Sequence, residues 1–310
     1  MTTPIPFDLQ GHRGARGLKP ENTLPSVEVA CDLGVSSIEL DLQVTLDGVV
    51  VVYHDQHLNP RQCRAVPGRP LAEPGNRPAI ETLSLQQLRD YAADLNPDPE
   101  RFPQQDAMVT PLAQLFAAHR DVHPYTPPTL TEVLAFVAAY SGPLGERAGK
   151  SAAQRKRAGV IRLDLELKHR PFTSCADVDE TGHFEREVVA AVRAAGMLGR
   201  TSVRSFDHRL VRRLRRLEPQ LRGAVLIAET VPVDPVAVVR AAEAETYCPS
   251  YDAVDGPLVR ELHGAGIRVV PWTVNNREDL ERLLDWGVDG ITTDFPDRLA
   301  VVLGRRGIAW

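Results

Sequence analysis

Four cysteines in 310 residues, Cys31, Cys63, Cys175 and Cys248, with no C-x-x-C pair among them, provide neither a disulfide framework nor a zinc site. They read as free thiols in a reducing compartment. A basic surplus is missing too: 36 Lys and Arg against 41 Asp and Glu leave a net charge of -5, which argues against a nucleic-acid binder, because neutralising phosphates needs a basic surface. The arginines that do cluster, Arg209, Arg212, Arg213, Arg215 and Arg216, interleave at helical spacing with Leu210, Val211, Leu214 and Leu217, the pattern of a solvated helix face. No apolar run approaches the roughly 18 residues of a membrane span. Met1 to Asp8 lack the basic and apolar regions of a secretory leader. The expectation is a cytoplasmic protein with no stable membrane insertion. What remains is ordinary globular material, 43% apolar and 25% charged, long enough for one large α/β domain or two smaller ones.

The most informative stretch runs from Ile38 to Asp55. Its apolar residues fall on even positions up to Val44 and its acids, Glu39 and Asp41, on odd ones, so a strand here sends both carboxylates to one face. Asp47-Gly48 is a two-residue hairpin signal, and Val49 to Tyr53 is a second, β-branched strand. Symmetric pairing about that turn sets His54 across from Asp41. By itself the stretch fits a surface hairpin with one wet face as well as it fits a site.

Upstream, Phe7 to His12 alternates and ends in Gly11-His12-Arg13-Gly14, whose glycines permit tight backbone. Asn22 or Thr23 caps a helix that runs to about Leu33, giving a βαβ unit and a parallel sheet. After Asp55 the pattern lapses, and an insertion is expected at about 56–127. Within it, a capping box at Ser84 and Gln87 opens a helix toward Leu95, and another helix spans Thr110 to His119. Thr129 and Glu132 cap a helix to about Tyr140, and Gly145 to Gly159 reads as an exposed loop. In the strand Val160 to Lys168, Arg162, Asp164, Glu166 and Lys168 share one parity. Charges on an inner sheet face need partners or an ion; Asp164, deeper than Glu166, is expected to pair with Arg162 or a neighbour. Strand-then-helix units then repeat to the end of the chain.

Parallel strands near positions 7, 37, 160, 201, 223, 245, 267 and 290 number eight, which closes a (β/α)₈ TIM barrel in an α/β chain, with the second half of the hairpin as an antiparallel arm after the second strand and the insertion before the third. Residues 1–310 read as a single domain. Function in such barrels lies at the carboxyl ends of the strands, and His12, Glu39, Asp41, Glu166, Lys168, Ser205, Trp272 and Asp294 all fall there.

His12-Arg13-Gly14, Pro20-Glu21-Asn22-Thr23, Glu39-x-Asp41, Asp47-Gly48, His54-Asp55, Pro128-Thr129-Leu130, Glu166-x-Lys168, Ser205-Phe206-Asp207, Trp272-Thr273-Val274-Asn275 and Thr293-Asp294, in that order, resemble the glycerophosphodiester phosphodiesterase family. The resemblance covers nearly the whole chain. It implies hydrolysis of a small glycerophosphodiester to sn-glycerol 3-phosphate and an alcohol, with Glu39, Asp41 and Glu166 holding a divalent cation and His12 and His54 as the general acid/base pair. Elementary chemistry is compatible: three carboxylates are hard ligands suited to Mg²⁺ or Ca²⁺, and two imidazoles can serve as base and acid to the two oxygens at phosphorus, by way of a cyclic phosphate. Arg13 and Lys168 are expected to clamp phosphate oxygens and Trp272 to pack on the glycerol carbons, while His57 reads as a surface residue. The chain departs from the family where Asn59-Pro60-Arg61 stands in place of an Arg-Thr stretch. Other readings are a lysophospholipase D or sphingomyelinase D-like enzyme on the same barrel, an inactive binding protein, or an isomerase or aldolase using Lys168. An aromatic loop that would suit a lipid substrate is not evident.

Overall fold

The computed structural model of the chain describes residues 6–66, 77–168, 182–228 and 230–310. Eleven strands occur in them: β1 (Asp8–Gly11), β2 (Ser37–Val44), β3 (Val50–Val52), β4 (Arg64–Ala65), β5 (Tyr91–Ala92), β6 (Arg162–Leu167), β7 (Thr201–Ser205), β8 (Arg222–Ile227), β9 (Thr246–Pro249), β10 (Arg268–Val269) and β11 (Gly290–Thr293). Eight pair in parallel in the order β10-β9-β8-β7-β6-β2-β1-β11. The two ends of this path meet through Asp289 N–H to Val269 O at 2.9 Å, Thr292 N–H to Pro271 O at 3.0 Å and Val274 N–H to Thr292 O at 3.0 Å. The sheet is therefore the (β/α)₈ barrel that the strand count predicts, with β3 paired antiparallel to β2 outside the ring.

Period-2 patterning drives the closure. Ile38, Leu40 and Leu42 of β2 and Leu163, Leu165 and Leu167 of β6 are almost completely buried in the main core. Each contributes roughly 1.5–3 kcal/mol of burial. Their alternate neighbours point into the barrel, where the lining is of two kinds. From β1 to β7 it is ionic: Arg162 meets Asp8 at 2.8 Å, and Arg204 meets Asp164 at 2.6 Å while donating to Gln10. Asp164 thus finds Arg204, a neighbour on β7, while Arg162 goes to Asp8. From β8 to β10 the lining is small and apolar, with Ala224, Leu226, Cys248 and Val270 packed together beneath Trp272.

Most expected helices appear, capped as the sequence indicates. Thr23 accepts from Ser26 N–H at the start of Leu24–Asp32, and Thr129 with Glu132 forms the box that opens Leu130–Ser141. Among the arginines of the helix His208–Leu217, Arg213 and Arg216 reach Glu185 and Glu243 across its exposed face. Cys31, Cys63 and Cys248 are buried free thiols; Cys175 lies outside the described residues.

Three local expectations are corrected. The hairpin pairs Leu42 with Val52 and Val44 with Val50, one residue away from the symmetric register. Its loop holds three residues, with Gly48 at φ 78° as the left-handed closing residue, so Asp41 faces Tyr53, whose N–H donates to Asp41 O at 3.0 Å, and His54 follows just beyond. The helix after Ser84 ends at Leu88, because Tyr91–Ala92 pairs with Arg64–Ala65. The segment Gly145 to Gly159 is not a loop: it carries helices Pro143–Arg147 and Ala152–Ala158, the second opened by a Ser151–Gln154 capping box. Lys150 between them is held by Glu28 at 2.6 Å and Asp32 at 2.7 Å.

The excursion after β3 packs a cluster of its own, including Val51, Tyr53, Leu58, Ile80, Leu83 and Leu88. It returns where Val52 N–H donates to Pro128 O at 2.8 Å. The cluster sets this segment against the arm at the carboxyl pole of the barrel.

Candidate active site

The first strand delivers His12 and Arg13 through a turn that only glycine permits at its edges. A Cβ on Gly11 would lie 2.1 Å from Gly14 O, and Gly14 sits at φ 91° against Ser26. Arg13 itself is left-handed, at φ 51°, which turns its N–H onto Glu39 Oε2 at 3.0 Å. The loop that follows is equally purposeful. Glu21 binds the guanidinium groups of Arg13 (2.6 Å) and Arg16, and Asn22 Nδ2 donates to Asp41 Oδ2 at 2.8 Å.

Glu39, Asp41 and Glu166 converge. Each offers a carboxylate oxygen within 4.8 Å of the others, and all three are buried. Adjacent pairing of β2 with β6, with Asp41 opposite Glu166, produces this cluster. Lys168 Nζ spans two of its members, at 2.9 Å from Asp41 and 2.5 Å from Glu166, and Arg13 Nε lies 3.1 Å from Asp41. Lysine and arginine together hold Asp41 well below the ordinary carboxylate range despite its burial. Glu39 differs: among the described residues no Lys or Arg lies within ion-pair distance of it, and burial, with the Asp41 carboxylate, pushes it up to about 8. A buried cluster of hard oxygens with one under-compensated acid fits a divalent cation.

Both expected histidines face the same place, each backed by a carboxylate. His12 Nδ1–H donates to Asp294 Oδ1 at 2.6 Å, since an ionised carboxylate can only accept, which leaves Nε2 3.8 Å from Glu39. Asp294 also receives Asn275 Nδ2–H at 2.7 Å and Arg101 Nη2–H at 3.0 Å. Burial, then the Arg13 guanidinium, pushes His12 down to about 4, so its imidazole is neutral near pH 7. His54 Nδ1 meets Asp55 Oδ1 at 2.6 Å, and Asn59 Nδ2 steadies the other oxygen of Asp55 at 3.1 Å. A cavity of about 320 Å³ is lined by His12, His54, Glu39, Glu166, Lys168 and Arg101, with Trp272 and Phe206 on its apolar side. Those two rings meet edge to face, with centroids 5.6 Å apart.

The chain matches the model of the glycerophosphoryl diester phosphodiesterase family over residues 12–144 and 155–298. The chain belongs to that family. A glycerophosphodiester phosphodiesterase from Caldanaerobacter subterraneus subsp. tengcongensis is 26% identical over 96% of this chain and 97% of its own length. Another, from Bacillus subtilis strain 168, is 28% identical over 92% of this chain and 83% of its own. Among solved structures, a Silicibacter pomeroyi protein assigned as a glycerophosphoryl diester phosphodiesterase is 30% identical, with a TM-score of 0.81 over 99% of this chain and 96% of that one. An Oleispira antarctica phosphodiesterase, in complex with the product sn-glycerol-3-phosphate, shares the fold at 19% identity, with a TM-score of 0.68 over 95% and 96% of the two chains. As a member of this phosphodiesterase family the protein is a phosphoric diester hydrolase, and its acidic triad could hold an ion.

Every site residue expected from the sequence lies at this cavity or in direct contact with it, although Arg13 and Lys168 meet carboxylates there. Sequence reasoning missed the residues that orient the others. Asp55 and Asp294 stood inside quoted motifs without a role, and Asn22 stood in Pro20-Glu21-Asn22-Thr23. Arg101 comes from the insertion, where nothing in the pattern marked it.

Proposed function

We propose that the protein hydrolyses glycerophosphodiesters to sn-glycerol 3-phosphate and an alcohol, with His12 as base and His54 as acid in the first step. The observation that carries this reading is the pair of Asp-backed histidines lining one cavity with Glu39 and Glu166, two members of a cluster of three carboxylates. Glu39, Asp41 and Glu166 would hold a divalent cation, Mg²⁺ or Ca²⁺, which when bound supplies charge to phosphate oxygens and lowers the pKa of a coordinated hydroxyl.

Neutral His12 takes the proton of the glycerol 2-hydroxyl at Nε2. The freed oxygen attacks phosphorus, the bond from phosphorus to the alcohol oxygen breaks, and that oxygen takes a proton from His54. In the second step His54 removes a proton from water, the hydroxide opens the cyclic phosphate, and the 2-oxygen recovers its proton from His12. Asp294 and Asp55 hold the two rings in the tautomer that presents Nε2. Lys168 and Arg13, already beside the acids, lend positive charge to the phosphate, and Trp272 with Phe206 offers an apolar wall to the glycerol carbons. The two ion pairs of Lys168 hold its pKa above the ordinary lysine value, which counts against a Schiff base or a carbonyl reaction. Residues 1–310 act as one catalytic domain in this reading.

The test is release of glycerol phosphate from a glycerophosphodiester with Mg²⁺, with Ca²⁺ and with chelator, for the wild type, His12→Ala and His54→Ala. Each substitution should lower kcat by about 10²–10⁴-fold. Equal turnover in the variants would sink the acid/base assignment, and undiminished turnover in chelator would sink the metal.

A further inference from the structure

A second hollow of about 460 Å³ adjoins the catalytic cavity, and the two share His54 and Lys168 as their common wall. The rest of its lining comes from the segment after the β3 arm. Two stretches pair there: Leu58 N–H donates to Pro78 O at 3.0 Å and Ile80 N–H to Gln56 O at 2.9 Å, with His57 opposite Ala79. In that ribbon's register Arg77 falls across from Asn59, Arg77 and His57 both line the hollow, and Leu58 and Ile80 anchor the ribbon from behind in their apolar cluster.

The polar groups of the hollow differ in whether they are already taken up. Asp55, its carboxylate, is committed to His54 at 2.6 Å and to Asn59 at 3.1 Å. Asn59 is committed in turn, through Nδ2 to Asp55 and through Oδ1, which accepts from Arg61 N–H at 3.0 Å. Arg77 and His57 are exposed, and neither side chain makes an ion pair or hydrogen bond to any described residue. Among the described residues the hollow has no free carboxylate and no Phe, Tyr or Trp ring, the two groups that would welcome a quaternary ammonium.

Resting on the reading above, we infer that this hollow receives the leaving alcohol, and that Arg77, with His57, selects alcohols that carry an anionic group of their own. In-line displacement at phosphorus sends the leaving oxygen away from the attacking one. His12 borders only the first cavity, whereas His54 borders both, so the oxygen protonated by His54 departs into the second hollow. A guanidinium edge with unused donors matches a carboxylate or phosphate on that alcohol.

The experiment compares kcat/KM for three diesters: glycerophosphoglycerol bearing a terminal phosphate, glycerophosphoglycerol itself, and glycerophosphocholine. The wild type should prefer them in that order. Arg77→Gln should shrink the ratio of the first to the second by roughly ten-fold, the worth of one charge-assisted contact. Arg77→Glu should move the order toward glycerophosphocholine, and His57→Gln should shift the same ratio less. A wild-type preference for glycerophosphocholine, or ratios unmoved by Arg77→Gln and Arg77→Glu while the wild type turns over, would overturn the subsite and leave the hydrolase reading standing. No cleavage of any of the three would bring down both.

Discussion

The two histidine–aspartate pairs of the site are built from different materials. His12 and Asp294 come from the ends of adjacent barrel strands, β1 and β11, and their side chains are 11% and 0% exposed. Asp294 is fixed by Asn275 and Arg101 as well as by the histidine. His54 and Asp55 are chain neighbours at the root of the insertion, with side chains 32% and 37% exposed, and among the described residues only Asn59 also steadies the carboxylate. The same dyad chemistry is thus held rigidly by the scaffold on one side and loosely by a local turn on the other. In the proposed mechanism, a base that must meet one constant group, the glycerol hydroxyl, gains from fixed geometry, while an acid that serves a variable alcohol sits where the fold tolerates adjustment.

The comparison breaks most directly on the two aspartates. Asp294→Asn should lower kcat by about 10²-fold or more, because Asn275 and Arg101 hold the amide oxygen on their side and turn its NH2 toward His12 Nδ1, favouring the wrong tautomer and removing the charge, whereas Asp55→Asn, in a more solvated pair, should cost roughly ten-fold or less. Saturating kinetics on one diester decides it, and equal losses would mean that burial does not distinguish the pairs.

Acid stability offers a second contrast. His12 ordinarily titrates at 6.5 and is pushed down to about 4 in the fold, so below 6.5 the unfolded chain binds a proton that the native state does not. Stability from this site is full above 6.5 and declines as the pH falls toward 4, by on the order of 3 kcal/mol. Glu39, ordinarily at 4.5 and raised to about 8, contributes the opposite slope above 4.5, so the His12 part shows as a difference: in urea unfolding of metal-free protein the wild type should lose about 3 kcal/mol relative to His12→Gln as the pH falls from 6.5 to 4.

Smallest is the effect expected at Arg101. Its guanidinium lies 5.0 Å from the Phe102 ring centroid, is 47% exposed and, apart from the bond to Asp294, makes no side-chain hydrogen bond to any described residue. Arg101→Ala should therefore leave the melting temperature nearly unchanged and raise KM several-fold, consistent with a charge-assisted contact at a half-exposed position.

Much of the barrel was legible because its signal is local. Alternation in Ile38–Val44 and Ile161–Leu167 declares both the strands and the inward acids, and glycines 11 and 14 mark the turn that carries His12. The misses share a physical cause. Hairpin register depends on whether Gly48 closes a two- or three-residue loop, a difference of one residue that Asp47-Gly48 alone does not encode. The helix Ala152–Ala158 hid behind basic composition although Ser151 and Gln154 spelled its cap. Asp294 and Arg101 meet across 193 positions of sequence, and no periodicity reports on contacts of that span.

The division of labour between the pairs is tested most directly by changing the leaving group. A glycerophosphodiester of 4-nitrophenol releases an anion that needs no proton, so His54→Ala should regain most of its lost kcat on it while His12→Ala stays about 10²-fold or more below wild type. If both variants recover alike, or His12→Ala recovers and His54→Ala does not, the barrel-built histidine is not the base and the arm-borne one is not the acid.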